Sequence, residues 1–303
     1  MKWSYFYIEL LFLSILTVSC YDEKDLEPSN IVSSYSVPQG THDYDDVIVE
    51  YYNQYGSCLL YKFTDKDTYW TPSGWMNGVL GVDGTKGYLV TPADEKYVGE
   101  QLDVIEKLWF SSYSDDFLKE FLPVKIMLCS EIDSVYVTWD FSVTPVQMKY
   151  LSQEVQSWYN YDNICVSYGN IVVTQMTKED SLAFRSSISR TFIESMIGRG
   201  KTAPTTEFGE SANYDISSSD MYTASKLWAA GIPQLVNSAI SEDNDWKTFM
   251  MMMVLCPEEF LTRVPEYNSD WDSTSKNWDG ILNPVKDVNG LLKKRYDMVR
   301  DYF

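Results

Sequence analysis

The sequence predicts an α+β fold with a mixed sheet and helices in its first half and a mainly helical second half. Three observations lead there: short strand-like apolar runs confined to the chain before about residue 175, one strongly amphipathic helix among them, and a helical pattern from Lys178 onward. At 303 residues, 45% of them hydrophobic, the chain can close a large core, and 15% aromatic residues argue against wholesale disorder. The domain is expected over residues 46–303, after a leader at 1–20 and a flexible tether at 21–45.

Lys2 opens the leader, and the apolar stretch Leu10–Leu16 is too short to span a bilayer. It runs into Leu16-Thr17-Val18-Ser19-Cys20, which resembles a bacterial lipoprotein signal, in which cleavage exposes a cysteine that is then lipidated. The acidic Tyr21-Asp22-Glu23-Lys24-Asp25 resembles the signal that sends lipoproteins of the Bacteroidetes to the outer face of the outer membrane. These resemblances imply a lipid-anchored, surface-exposed protein whose first partner is the outer membrane, through Cys20. Residues 21–45 are rich in Ser, Asp, Tyr and Pro without periodicity, as in a tether.

Val47–Tyr52 reads as a short helix and Cys58–Phe63 as a strand. Glycines, Pro72 and two tryptophans make 64–87 a long loop. From Asp94 to Phe110, Val98, Leu102, Ile105, Leu108 and Trp109 form one stripe; Pro92 precedes it, and Asp94 and Glu95 suit the positive end of the helix dipole. A short helix around Phe117-Leu118 leads to strands at Val124–Leu128, Tyr136–Trp139 and Ile164–Thr174. Helices follow over Lys178–Ile197 and again from Thr223 to the C-terminus.

Composition excludes some chemistry. With 24 basic against 44 acidic residues the formal charge is −20, and no basic run could neutralise nucleic-acid phosphates. His42 is the chain's one histidine, so the usual two- or three-histidine zinc sites are closed to it, and its polar surroundings suit a solvated side chain. For Cys58, Cys129, Cys165 and Cys256 an exported protein allows disulfides in three pairings, but their apolar runs suit buried free thiols better, and none has the Cys-x-x-Cys spacing of a metal knuckle. Glycine patterns for phosphate loops and nucleophile elbows are absent.

Several segments in order resemble one family, the zinc-binding metallopeptidase lipoproteins of Bacteroidetes, whose catalytic domain is zincin-like. They are the strand Leu59–Phe63, Val90-Thr91-Pro92-Ala93-Asp94 with its helix, Cys256-Pro257-Glu258-Glu259-Phe260, and the closing helix Leu291–Phe303. The family's His-Glu-x-x-His helix corresponds here to Thr191-Phe192-Ile193-Glu194-Ser195-Met196-Ile197, and its Thr-Glu-Phe to Thr206-Glu207-Phe208. Spacing i, i+4 puts two histidines on one helical face so that both reach one zinc, while the glutamate activates water. Glu194 stands at that general-base position, but Ile193 and Ile197 replace both histidines. The family's third, acidic ligand corresponds to Asn244 in Asn244-Asp245-Trp246.

The resemblance therefore implies a pseudopeptidase without cofactor, serving as a binding module for a peptide, a glycan or an outer-membrane protein, with Glu194 vestigial. The alternative is an active metallopeptidase that recruits zinc through acids such as Glu194, Glu207 and Glu242. For a binding role the aromatic segments around Trp70, Trp75, Trp271 and Trp278 offer flat, rigid contact area beside Asp and Asn, although tryptophans under their own loops would pack as satellite clusters. Met250–Met253 suits a buried helix or an adaptable groove.

Overall fold

A computed structural model describes residues 36–75, 86–217, 219–233, 240–266 and 278–303. The fold takes in residues 36–45, which the sequence placed in the tether. Helix α1 (Asp43–Tyr55) starts there, with His42 at its N-cap and Gly56 closing it in the left-handed conformation at φ 74°. Gln39 ties the segment down by accepting from the backbone of Tyr61 and Lys62. The buried Asp45 carboxylate accepts from the His42 backbone (2.9 Å) and the Tyr61 hydroxyl (2.9 Å).

Burial alone would raise the Asp45 carboxyl, but these hydrogen bonds, with the His42 ring, hold it below the ordinary value of 3.8. A carboxyl depressed in the folded state stabilises fully above its unfolded value and loses that contribution as pH falls through the folded one. Asp45→Asn is therefore expected to lower stability by about 1–2 kcal/mol at neutral pH. It should also flatten the loss of stability below about pH 4. Urea midpoints across the acid range test this, and an unchanged acid limb would sink it.

Strand β1 (Cys58–Leu60) is shorter than expected, and the predicted loop at 64–87 holds further structure. A Thr64/Asp67 capping box starts α2 (Asp65–Tyr69), and Trp70 and Trp75 pair across the small ladder of β2 (Trp70–Thr71) and β3 (Gly74–Trp75). Then come β4 (Lys86–Pro92), which the sequence reading missed, and a 3-10 turn at Glu95–Tyr97. The amphipathic helix follows as α3 (Val98–Leu108), and α4 (Asp115–Phe121) is capped by Ser114.

The two strands expected at 124–128 and 136–139 are one 16-residue strand, β5 (Lys125–Asp140). Its buried first quarter pairs in parallel with β1 and with β8 (Asn163–Val166), and its remainder pairs antiparallel with β4 and β6 (Gln147–Glu154). Strand β7 (Ser157–Asn160) pairs antiparallel with β8 and ends the order β1-β5-β8-β7. The strand expected at 164–174 stops at Val166, and a 3-10 turn over Ile171–Gln175 replaces its end. The fully buried Gln101 side chain clasps this junction: its Nε2 donates to the carbonyls of Cys129 (3.2 Å), Val166 (2.9 Å) and Ser167 (2.8 Å).

The second half is helical, as expected: α5 (Lys178–Gly198), α6 (Thr206–Glu210), α7 (Ala224–Ala229), α8 (Glu242–Leu255), α9 (Glu258–Thr262) and α10 (Leu291–Tyr302). The result is α+β with a mixed sheet. One core unites β1, β5 and β8 with α3, α5, α8 and α10, and Met250, Met251 and Met252 are buried in it or at its margin, so the methionine run is core and not groove. Cys58, Cys129 and Cys165 are buried free thiols, and Cys256 is a half-buried one. Among the described residues no helix is long and apolar enough to cross a membrane.

Candidate functional site

The helix bearing Glu194 forms for local reasons. Thr177 and Asp180 make a reciprocal capping box, with Thr177 Oγ1 accepting from the Asp180 backbone (3.1 Å) and Asp180 Oδ2 accepting from the Thr177 backbone (2.9 Å). From there α5 runs unbroken over β7 and β8 and against α8. Phe184, Ile188, Phe192, Ile193 and Met196 drive it into the core.

A cleft of about 600 Å³ opens between α5 and β7. Gln156, Ser157, Trp158 and Tyr159 line it from the strand side, and Ala183, Ser187, Arg190, Thr191 and Glu194 from the helix. Among the described residues β7 has a strand partner on one side only, β8, so it presents a sheet edge. The Ser157 hydroxyl lies 2.8 Å from those of Ser187 and Thr191, pinning strand to helix. Trp158 stacks on Tyr88 at 4.6 Å, which sets one end of the cleft. At the other end Tyr159 rests against Gly198, where an added Cβ would come within 3.0 Å of its hydroxyl. Burial, then the negative charge of Glu194, raises the Tyr159 hydroxyl above its ordinary value.

Glu194 is half-buried in this cleft, and Lys247 of α8 reaches its Oε1 at 3.5 Å. Ile193 and Ile197 turn away from it: Ile193 is 1% exposed in the main core and Ile197 packs against that core. The degenerate motif thus divides, with its carboxylate on the cleft wall and both hydrocarbon positions packed with the core. Asn244 lies half-buried in the first turn of α8, and the helix is capped by the Ser241 hydroxyl accepting from the Asn244 backbone (3.3 Å).

Zinc does not fit these residues. Two isoleucines carry no donor atom, and among the described residues no three of His, Cys, Asp and Glu converge. Glu194 lines the cleft, Glu207 is exposed on α6, and Glu242 packs against Gly209, so the acids of the alternative reading are not brought together. His42 is engaged elsewhere, 3.2 Å from Asp45 and stacked on Tyr44.

The aromatic candidates separate as well. Trp70 is exposed on β2, and Trp278 is half-buried against the main core. The backbone of Trp75 is in β3, and Trp271 lies outside the described residues, as does Cys20. Sequence reasoning missed β7 and with it the strand wall of the cleft. The signal was present in Ser157-Trp158-Tyr159, strand-favouring aromatics before the Asn160–Asn163 turn.

Sequence reasoning also missed what Asp245 does. Next to Asn244, the Asp245 carboxylate lies 3.0 Å from the Arg295 guanidinium of α10, and both side chains are fully buried. Tyr214 joins them, donating to Asp245 (2.8 Å) and accepting from Arg295 (2.7 Å). The Gly231 carbonyl accepts from Arg295 at 2.7 Å, and the Phe208 ring lies 4.0 Å beneath the guanidinium. The motif residue Phe208 thus serves the packing of this buried charge.

No protein-family model matches the chain, and no curated protein matches it. A solved structure that resembles it is described as a "putative zinc-binding metallo-peptidase" from Bacteroides caccae, with a TM-score of 0.44 and 10% identity over 86% of this chain and 83% of that one. Likeness at that level carries no residue roles from one chain to the other.

Proposed function

We propose that this chain is a non-hydrolytic, peptide-binding module of zincin-like descent, carried on the outer membrane by a lipidated Cys20. The observation that supports it is the α5–β7 cleft. The edge strand β7, with a strand partner on one side only among the described residues, borders a cleft to which α5 contributes the exposed Ala183 and Arg190 and the half-buried Ser187 and Glu194, a setting in which an extended peptide can add as a strand while side chains enter the cleft. Glu194 retains the place of a general base, but its charge is met by Lys247, and the neighbouring motif positions are hydrocarbon. In this role Arg190, Glu194 and Lys247 select the charge of the bound segment, and Trp158 with Tyr88 offers an apolar stop at one end.

Selection from a displayed peptide library, followed by titration of the selected peptide, tests the proposal. Ala183→Trp places an indole in the cleft from an exposed helix position and is expected to weaken binding at least about tenfold with little change in melting, because exposed substitutions of this kind stay within about 0.5 kcal/mol. Undiminished binding would place the peptide elsewhere. Zinc content after dialysis against trace zinc is expected near zero per chain. A ratio near one, with cleavage of the selected peptide, would overturn the non-hydrolytic reading in favour of a metallopeptidase with unusual ligands.

A further inference from the structure

Beyond the core, β5 and β6 run on together as an arm. Its ladder extends from Asp133↔Glu154 to Asp140↔Gln147, about 25 Å of paired strand. The register sorts its side chains. Val137 faces Tyr150 and Trp139 faces Met148 on one side, while on the other Tyr136 faces Leu151 near the base and Thr138 faces Lys149 and Asp140 faces Gln147 further out. The apolar set then continues through the turn, where Phe141 is 79% exposed and Val143 and Val146 are also exposed; Trp139 is 56% exposed. So large a run of exposed aromatic and aliphatic residues marks a surface that is covered in use.

Charge points to the occupant. From Ser134 to Gln153 the charged residues are Asp140 and Lys149, a neutral segment in a chain of −20. A second copy would bring another −20 to the contact, and self-repulsion disfavours it. Pairing with another protein's strand would use the ladder edge, yet the most exposed apolar residue, Phe141, lies in the turn beyond it. A bilayer surface takes both the apolar face and the turn, with Trp and Tyr rings at headgroup level.

The placement of the chain's start agrees. Val37 packs on the cluster of Ile132 and Val90, at the base from which the arm extends. The sixteen Cα–Cα steps from Cys20 to Ser36 span at most about 55 Å, more than the length of the arm, so an anchor at Cys20 lets that base approach the membrane closely enough for the arm to touch it.

We propose that the 133–154 hairpin is a membrane-seating arm, whose apolar face and turn enter the outer leaflet beside the lipid anchor and fix how the domain sits on the surface. This rests on the lipid-anchor reading of Cys20. The test uses the full lipidated chain in phosphatidylcholine vesicles with and without brominated acyl chains, which quench tryptophans at the acyl boundary. The difference between wild type and Trp139→Phe isolates Trp139 among the nine tryptophans that follow Cys20. Brominated lipid is expected to remove about half or more of that difference emission, and Phe141→Ser with Val146→Ser to cut this quenching at least about threefold. A vesicle-retained chain whose Trp139 emission is the same in both lipids overturns the arm and leaves the anchor standing. Release of the wild-type chain from vesicles overturns both. Arm-dependent dimerisation in sedimentation, without quenching, overturns the lipid reading in favour of a second copy.

Discussion

Asp245→Ala is expected to destabilise the domain by about 3–5 kcal/mol, because it leaves the Arg295 guanidinium charged and buried without its carboxylate. For a unit of this size that lowers the thermal midpoint by about 10 °C. Arg295 cannot escape by moving into solvent: it is fully buried, and its Cδ lies close to Gly231, where even an added Cβ would come within 3.2 Å. Replacing both partners together, Asp245→Leu with Arg295→Met, is expected to recover much of the loss, since a hydrophobic pair of similar volume carries no desolvation penalty. Chemical unfolding of the three variants decides it. A single-variant loss under about 1 kcal/mol would show that water or a neighbouring group reaches the guanidinium. The pair ties α8 to α10, and through Tyr214 and Gly231 it also fixes the segments on either side of α7.

Histidines introduced at positions 193 and 197 should not create a metal site. The double variant Ile193→His, Ile197→His is expected to lose about 3 kcal/mol or more, because the imidazole at 193 enters a largely hydrocarbon core. Zinc is expected to leave that loss in place. Even with both imidazoles aligned, the third position is Asn244, and Glu242 packs against Gly209 instead of turning toward α5. Thermal melts with and without zinc measure this. A zinc-dependent rise above about 5 °C would mean that α5 rotates readily enough to present both side chains to the cleft, and that the metal was lost by ligand substitution alone.

What could be read from the sequence was local. The stripe Val98–Leu108 and the helical pattern over Lys178–Ile197 define α3 and α5 by spacing within a few residues, and the structure places both helices there. The fate of Ile193 and Ile197 was also legible, since a side chain without a donor atom ligates nothing in any fold.

The rest depended on partners far along the chain. Strand β4 was read as a lead-in to the helix after it because its pairing partner, β5, lies some forty residues on. Strand β7 is four residues long and gains its identity from β8 across a turn and from hydroxyls on α5. Asp245 reads as one more surface acid in a helix's first turn, and only Arg295, fifty positions later, makes it a buried charge. The aromatic segments at Trp70–Trp75 and Trp271–Trp278 looked like the binding surface because composition cannot say which aromatics meet. Folding instead pairs Trp70 with Trp75 in a small ladder, packs Trp278 on the core, and leaves Trp139 and Phe141 exposed on an arm. By itself the sequence determined the helices, the donor-free side chains at 193 and 197 and the acidic character, since propensity and donor chemistry act within a few residues. The tertiary structure alone decided the cleft, the buried ion pair and the exposed arm, because strand pairing and burial are set by contacts between residues that the chain holds far apart.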